Sequence, residues 1–224
     1  MRLLQNIINL HKPVGPTSHD MVDLVRRATG EKTVGHAGTL DPFAQGVLLV
    51  LVGREMTRRQ KEFMQFPKTY VATLKFGATS DTDDLTGRIT ELRITNDELN
   101  SQSGIRNSVI ANVLNSFVGD IEQVPPAYSA VKLSGKKAYE IARKGGAPAL
   151  KPKTVHIESI RIIRYEWPEL EIEVVCGSGT YIRALARDIG EELHCGAYVE
   201  KLARTRIGPY TIEEAVHPED LSIA

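Results

Sequence analysis

A polar, Gly-rich loop with one histidine and one aspartate runs directly into an apolar segment. The loop spans residues 35–46 and contains His36 and Asp41, and residues 47–52 read Val-Leu-Leu-Val-Leu-Val. A short, β-branched run bounded by glycines predicts a buried strand. Loops held against such a strand commonly carry catalytic side chains, and Asp41 offers a nucleophilic or charge-stabilising carboxylate. The loop is therefore the first candidate site.

Two basic segments are candidates for contact with a polyanion. Residues 54–75 contain six basic and two acidic residues, and residues 132–153 contain seven basic residues and one acidic residue. Tyr128 and Tyr139 accompany the second segment, a combination that suits phosphate contacts with base stacking. Runs of charge are more commonly solvated surface, so composition alone leaves both interpretations open.

The whole chain is electrically neutral, with 28 Lys and Arg against 28 Asp and Glu in 224 residues. This balance excludes a uniformly basic, histone-like binder, so any site for a polyanion must be a local patch. A hydrophobic fraction of 42% argues against a disordered or fibrous chain. Two cysteines, no signal-peptide-like start and no apolar run of membrane length predict a reduced, cytoplasmic protein.

Three familiar ligand-binding patterns are incomplete in this sequence. Gly177-x-Gly179 lacks the third glycine of a dinucleotide fingerprint, because residue 182 is an isoleucine. The acidic residues 81–84 lack the closing glutamate of a calcium loop, which favours a solvated acidic turn. Two cysteines and His194 are too few ligands for a structural zinc site.

Periodicity and turn residues predict helices and strands interleaved through one domain. A helix is expected to begin at an N-cap Ser18 and to end at Gly30. The glycines near 177 are expected to open a helix that ends at residue 193, with an apolar face formed by Ile182, Leu185, Ala186, Ile189 and Leu193. The remaining expectations are a helix over 96–118, strands over 69–76, 155–165 and 170–176, and extended chain over 202–212.

An extended motif surrounds Asp41. Residues 35–48 read Gly-His-x-Gly-Thr-Leu-Asp-Pro-x-Ala-x-Gly-Val-Leu, which resembles the catalytic motif of the tRNA pseudouridine synthase B family. Other matches to that family follow in its order: His-Lys-Pro-x-Gly-x-Thr-Ser at 11–18, Lys-x-Tyr at 68–70 with Gly77, Val-Pro-Pro-x-Tyr-Ser-Ala-x-Lys at 124–132, Gly-Thr-Tyr-Ile-Arg at 179–183 and Leu-x-Arg-Thr-Arg-x-Gly at 202–208. The resemblance covers residues 7–212, nearly the whole chain.

The resemblance implies an enzyme that isomerises uridine to pseudouridine at position 55, in the T-loop of tRNA. The reaction breaks the bond between ribose C1′ and uracil N1, turns the base and joins C1′ to C5. It needs no cofactor, metal or nucleotide. It requires a carboxylate, a flipped base and a pocket that retains the detached uracil.

The resemblance also assigns roles to single residues. Asp41 is similar in position to the catalytic aspartate, and Arg183 to the cation that keeps this carboxylate ionised and oriented. Tyr70 matches the residue that stacks on the target uracil and assists proton removal from C5. The chemical route stays open between attack of Asp41 on C1′, addition to C6 and assistance to a glycal intermediate.

The remaining matches imply contact with the substrate or support for the loop. His36 matches a residue that intrudes into the T-loop, and Tyr181 and Leu202 match positions that line the uridine pocket. Lys12 belongs to a motif that packs near the catalytic loop. Lys132 lies in the segment 124–153, which resembles the family's loop that clamps the RNA stem-loop.

The expected fold is α+β: one pseudouridine-synthase catalytic domain over residues 1–224, with a central mixed, mainly antiparallel sheet and flanking helices. Family members commonly continue into an RNA-binding PUA domain, and none is expected before the last residue, Ala224. The expected partner is the T-arm of tRNA. A monomer is expected, with no cofactor, no membrane and no protein partner.

Two other functions compete with isomerisation. A non-catalytic RNA binder or RNA chaperone would use the same basic segments, although it would gain nothing from a buried acid facing phosphates. A nucleoside glycosidase would let water intercept the sugar, and it would release free uracil.

Overall fold

The computed structural model describes residues 6–92, 105–133 and 135–221. Its strands are β1 (Ile7–Lys12), β2 (Val34–His36), β3 (Gln45–Val52), β4 (Lys68–Phe76), β5 (Ala78–Ser80), β6 (Ile89–Glu91), β7 (Gly119–Gln123), β8 (Lys132–Leu133), β9 (Lys136–Lys137), β10 (Lys153–Glu166), β11 (Glu169–Cys176), β12 (Ala197–Ile207) and β13 (Tyr210–Thr211). Its helices are α1 (Ser18–Thr29), α2 (Arg54–Arg58), α3 (Gln60–Met64), α4 (Asn107–Ser116), α5 (Ala138–Ala142) and α6 (Ile182–Glu192), with a 3-10 turn at Pro218–Asp220. Within these ranges, every helix is too short or too polar to cross a membrane.

The chain forms two compact units. The first comprises Met1–Val71 with Leu202–Ala224, and the second comprises Ala72–Lys201. Strands β4 and β12 each have residues in both units. The single domain expected over residues 1–224 stays a prediction.

The sheet combines antiparallel and parallel pairing. In the first unit, β3 pairs antiparallel with β1 and β2 and parallel with β12, and β13 pairs antiparallel with β12. In the second unit the strand order is β12-β4-β11-β10-β7, and β10 is antiparallel to both β11 and β7. Two short hairpins join β5 to β6 and β8 to β9. The predicted α+β class with a mixed, mainly antiparallel sheet is confirmed.

Strand β3 is apolar from Val47 to Val52 because both of its faces are covered. Leu48 and Val50 belong to the core cluster that also contains the apolar side chains of β1 and α1. Leu49 and Leu51 belong to a second cluster, with Met56 of α2 among its members. Successive side chains of a strand point to opposite faces, so a strand between two layers of apolar residues shows no alternation. The prediction of a buried strand is confirmed.

Helix α1 begins one residue earlier than predicted. The N-cap is Thr17, whose hydroxyl accepts from the backbone N–H of Asp20 at 3.1 Å, while the Asp20 carboxylate accepts from the backbone N–H of Thr17 at 2.7 Å. This reciprocal pair is a capping box. Ser18 is the first helical residue, so the predicted N-cap was wrong by one position. Gly30 ends the helix with a φ of 67°, as predicted.

The helices of the second unit follow the predicted pattern. Every residue of the predicted apolar face of α6 is buried, although the helix itself begins only at Ile182. Helix α4 lies within the predicted range 96–118, of which residues 96–104 lie outside the described residues. The predicted strands over 69–76, 155–165 and 170–176 correspond to β4, β10 and β11.

Candidate active site

The loop that carries Asp41 connects β2 to β3 in the first unit. Its apolar side chains are buried and anchor it to the core: Ala37, Leu40, Phe43 and Ala44. The backbone N–H of Ala44 donates to the carbonyl of Asp41 at 3.1 Å, and that of Gly15 donates to the carbonyl of Pro42 at 2.8 Å. The side chain of Asp41 itself is neither fully buried nor fully exposed. The loop therefore holds one half-buried carboxylate on a tightly bonded turn.

Lys12 lies beneath this loop and is 0% exposed. Its ammonium donates to the carbonyls of Pro13 and Ala44, both at 2.7 Å, and to that of Pro42 at 3.4 Å. Burial lowers the pKa of Lys12 to about 8, and the charge of Asp41 opposes this shift. Because three carbonyls occupy the ammonium, this geometry favours support of the loop over direct contact with a substrate.

Two residues that were not predicted to belong to the site also hold the loop. Arg204 of β12 is 1% exposed, and its guanidinium donates to the carbonyls of Val47, Thr39 and Gly38 at 2.8, 3.3 and 3.1 Å. The hydroxyl of Ser18 accepts from the backbone N–H of Leu40 at 2.9 Å and lies 3.0 Å from the carbonyl of the same residue, to which it donates. Arg204 stands in one of the quoted sequence motifs, and Ser18 in another. Their contacts join residues 22 to 166 positions apart in the chain, which no local pattern reveals.

His36 ends β2 at the start of the loop. Its carbonyl accepts a hydrogen bond from the side-chain amide of Gln60 at 2.6 Å. Burial lowers the pKa of His36, and the charge of Arg204 acts in the same direction. Within the described part of the chain, its buried Nδ1 makes no hydrogen bond. Both effects favour the neutral imidazole, which suits stacking on a base better than contact with a phosphate.

Two further predicted residues lie in the first unit on the neighbouring strands β4 and β12. Tyr70 and Leu202 are both buried. The hydroxyl of Thr205 donates to the carbonyl of Thr69 at 3.3 Å, which joins the two strands one residue from Tyr70. The first unit thus contains the predicted residues Lys12, His36, Asp41, Tyr70 and Leu202.

The second unit contains Arg183, Tyr181 and Lys132. Arg183 stands in the first turn of α6 and is 4% exposed. Its guanidinium donates to the carbonyls of Thr82 at 2.8 Å and Tyr128 at 3.0 Å, and it lies 3.2 Å from a carboxylate oxygen of Asp84. These contacts hold the planar guanidinium in one orientation.

The acidic turn over residues 81–84 is not uniformly solvated, so that prediction was wrong for two of its members. Asp84 is 4% exposed, and its second carboxylate oxygen accepts from the Thr82 hydroxyl and from the backbone and hydroxyl of Thr86. Asp83 pairs with Arg187 of α6 at 3.1 Å. Charged residues are buried when they find partners, and these partners stand about 100 positions away in the chain. In the described ranges, no group of His, Cys, Asp and Glu side chains is arranged to hold a metal ion.

Tyr181 precedes α6, and its backbone is fixed by Gln123, which is 1% exposed. The Gln123 amide accepts from the N–H of Tyr181 at 2.8 Å and donates to its carbonyl at 3.1 Å. Arg187 donates to the carbonyl of Val124 at 2.9 Å. Both contacts lie where β7 leads into the segment 124–153, so α6 holds the beginning of that segment.

The segment 124–153 contains local structure of its own. The exposed Lys132 belongs to β8, which pairs with β9, and α5 follows directly. The side chains of Lys137 and Arg143 each lie 5.4 Å from the ring centre of Tyr139. The segment thus presents cations around an aromatic ring, as its composition indicated.

The chain was compared with known families and proteins. A model described as the TruB family pseudouridylate synthase N-terminal domain matches residues 26–182. The chain belongs to the TruB family. A second model, described as the tRNA pseudouridylate synthase B C-terminal domain, matches residues 183–224.

Several TruB relatives are similar over nearly the whole chain. A protein named tRNA pseudouridine synthase B from Parabacteroides distasonis is 43% identical over 96% of this chain and 91% of its own length. One of the same name from Gloeobacter violaceus is 42% identical over 95% of this chain and 71% of its own length.

Solved structures support the TruB fold. A Cbf5-Nop10-Gar1 complex contains a chain that is 29% identical, with a TM-score of 0.73, over 98% of this chain and 54% of that one. A structure described as an H/ACA RNP bound to a substrate RNA containing 2′-deoxyuridine contains a chain that is 27% identical, with a TM-score of 0.67, over 96% of this chain and 51% of that one. This chain therefore spans about half the length of each of these two solved chains.

Proposed function

We propose that this chain isomerises uridine to pseudouridine at position 55, in the T-loop of tRNA, with Asp41 as the catalytic carboxylate. One observation carries the proposal: in a TruB-family chain, the motif aspartate is half-buried on a loop whose carbonyls accept from the buried Lys12 and Arg204. Because the backbone of the loop is fixed, the carboxylate is held in one orientation toward a reacting atom. Such fixed orientation is a source of catalysis.

The reaction is an isomerisation, so its atoms balance without a co-reactant. The bond between C1′ and N1 breaks with its electron pair leaving on uracil, and C1′ then bonds to C5. The proton on C5 leaves, and N1 takes up a proton. Asp41 supplies negative charge next to C1′ or C6 while the base is detached. The reaction needs a pocket that keeps the detached uracil from escaping, and the family motif assigns the side chains of Tyr70 and Leu202, both buried, to that pocket.

Arg183, Tyr70 and Tyr181 remain proposed residues of this site. The family motif supports each of them, and the fixed guanidinium of Arg183 suits the orientation of a carboxylate. The buried ring of Tyr70 suits stacking on uracil, which offsets part of the few kcal/mol that base flipping costs.

The proposed substrate is the T-arm of tRNA. The neutral imidazole of His36 suits insertion among bases, and exposed cations such as Lys132 suit contact with phosphates. The name of the TruB relatives and the substrate RNA of the H/ACA RNP support an RNA substrate. We infer a monomeric, cytoplasmic enzyme that works without a cofactor.

Asp41→Asn tests the catalytic role. The amide cannot act as a nucleophile, so we expect tritium release from tRNA labelled at uridine C5 to fall to background while the Kd for tRNA changes little. Asp23→Asn, a change on the surface of α1, is the matched control and should keep wild-type release. Wild-type release by Asp41→Asn would refute the assignment of Asp41.

The wild-type products test the reaction and its position. Pseudouridine mapped at position 55 of tRNA transcripts supports the proposal, and pseudouridine elsewhere refutes the T-loop assignment. Free uracil would identify a glycosidase. Tight tRNA binding without any product would identify an RNA binder or chaperone.

A further inference from the structure

Arg204 is a buried cation that contacts both ends of the Asp41 loop. Its guanidinium donates to the carbonyls of Gly38 and Thr39 before Asp41 and to that of Val47 after it. With Lys12 occupying the carbonyls of Pro42 and Ala44, two buried cations lie beneath one loop.

Stability alone does not account for this arrangement. Removing a guanidinium from water is costly, and apolar side chains of similar volume often replace buried ion pairs with no loss of stability. Lys12 and Arg204 also repel each other: burial lowers the pKa of Lys12, the charge of Asp41 opposes that shift, and the charge of Arg204, a smaller effect, lowers the pKa further. A second cation under the loop therefore needs a reason other than packing.

The backbone around Arg204 leaves the guanidinium little freedom. Strand β12 pairs parallel with β3, with Ala203 opposite Gln45 and Arg204 opposite Gly46. Gly46 has a φ of 112°, and a Cβ there would lie 2.2 Å from the carbonyl oxygen of Arg204. The two main chains thus touch at the end of the loop, which fixes the base of the Arg204 side chain relative to Asp41.

The same strand carries a proposed wall of the uridine pocket. Leu202 and Arg204 are two residues apart in β12 and both buried, so they share one face of the strand. Any shift of β12 would move the pocket wall and the loop together.

We propose that Arg204 is a positioning residue for the isomerisation: by fixing the carbonyls on both sides of Asp41 and setting them in register with Leu202, it places the carboxylate against the uridine. This inference rests on the proposed function of Asp41. It assigns Arg204 no contact with the substrate. A displacement of about 1 Å in a catalytic group can cost on the order of 100-fold in rate.

The test compares Arg204→Met, which keeps most of the volume, with Arg204→Lys, which keeps the charge and can reach some of the carbonyls. We expect the single-turnover rate constant to fall by on the order of 100-fold for methionine and by less for lysine, with the Kd for tRNA within about threefold of wild type. Hydrogen exchange at residues 37–44 should become faster in Arg204→Met and stay unchanged in α1.

Val25→Ala is the control for general destabilisation, because Val25 is fully buried in the core cluster that packs α1 and makes no contact proposed for the reaction. It should lower the stability without slowing the single turnover of the folded protein. A rate loss in Arg204→Met that Val25→Ala reproduces, or an Arg204→Met rate within about twofold of wild type, would overturn the inference.

Asp41→Asn is measured in parallel so that the two proposals fail separately. If it is inactive and Arg204→Met is as fast as wild type, only the positioning role is wrong. If Asp41→Asn is itself active, the proposed function fails, and the positioning role fails with it. If Arg204→Met does not fold, Arg204→Lys decides: slower single turnover with faster exchange at residues 37–44 and a wild-type Kd for tRNA supports the role, and either a wild-type rate or weakened tRNA binding overturns it.

Discussion

Asp83 and Asp84 are neighbours in the chain, yet their carboxylates are held in different ways. Asp84 accepts from Thr82 and Thr86 on one oxygen and faces Arg183 with the other. Asp83 faces Arg187, but burial raises its pKa to about 6 in spite of that cation. The effect of desolvation on the pKa of Asp83 is therefore larger than the opposing effect of Arg187. This balance belongs to Asp83 alone and not to the whole turn.

The raised pKa of Asp83 makes a prediction about stability. A carboxyl group with a folded pKa near 6 and an unfolded pKa near 4 binds its proton more tightly when folded. The wild type should therefore lose about 1 kcal/mol relative to Asp83→Asn as the pH rises from 5 to 7. Urea denaturation at both pH values measures this difference, and asparagine also tolerates the positive φ of 59° at this position.

Asp81→Asn serves as the control, because Asp81 is an exposed aspartate of the same turn. It removes one acidic charge without removing a buried carboxylate. If the ion pair with Arg187 outweighs burial, the wild type will instead gain stability relative to Asp83→Asn over this range. That sign would contradict the prediction.

The N-terminus of α1 combines two functions in adjacent residues. Thr17 caps the helix. The hydroxyl of Ser18 forms hydrogen bonds with the backbone N–H and the backbone carbonyl of Leu40 in the loop. The helix therefore acts as a support for the Asp41 loop as well as a layer over the core. Two adjacent hydroxyl residues at one helix end should therefore have separable effects.

Thr17→Ala and Ser18→Ala make a matched pair at this helix end. Loss of the cap should lower the free energy of unfolding by about 1 kcal/mol and leave the single-turnover rate unchanged. Loss of the Ser18 hydroxyl leaves the buried backbone of Leu40 without a partner, so it should lower both the stability and the rate. Urea denaturation and tritium release measure the two effects. Equal rates in the two variants would show that α1 does not support the loop.

At the scale of the whole molecule, a net charge of zero combines with local basic segments. Affinity for an RNA depends on the cations that meet its phosphates, and it falls with salt by a slope set by their number. A neutral chain can therefore bind tRNA through one patch. The hairpin of β8 and β9 presents Lys132, Lys136 and Lys137 within the segment 124–153.

Changing these three lysines to glutamine should weaken tRNA binding and reduce the salt slope by about 2. The control changes Arg161 and Arg164 to glutamine, because these exposed arginines of β10 already pair with glutamates. Fluorescence anisotropy across a salt series measures both slopes. An unchanged slope in the lysine variant would remove this hairpin from the RNA interface.

Local pattern determined most of the elements and the family. The apolar run of β3 and the buried face of α6 were predictable, because burial on both faces of a strand leaves a continuous apolar run and burial of one helical face leaves a periodicity. The motif around Asp41 determined the TruB family, since it places many residue types at fixed spacing. Those predictions depend on residues close together in the chain.

Only the tertiary structure decided what holds the candidate site. Arg204 reaches Val47 across 157 positions, and Gln123 fixes Tyr181 across 58. Composition predicted a solvated turn, and the structure instead shows Asp84 buried in an ion pair with Arg183. A buried polar side chain is stable only when it forms hydrogen bonds with partners. Folding brings those partners together from distant parts of the chain, so the spacing of residues in the sequence does not reveal them.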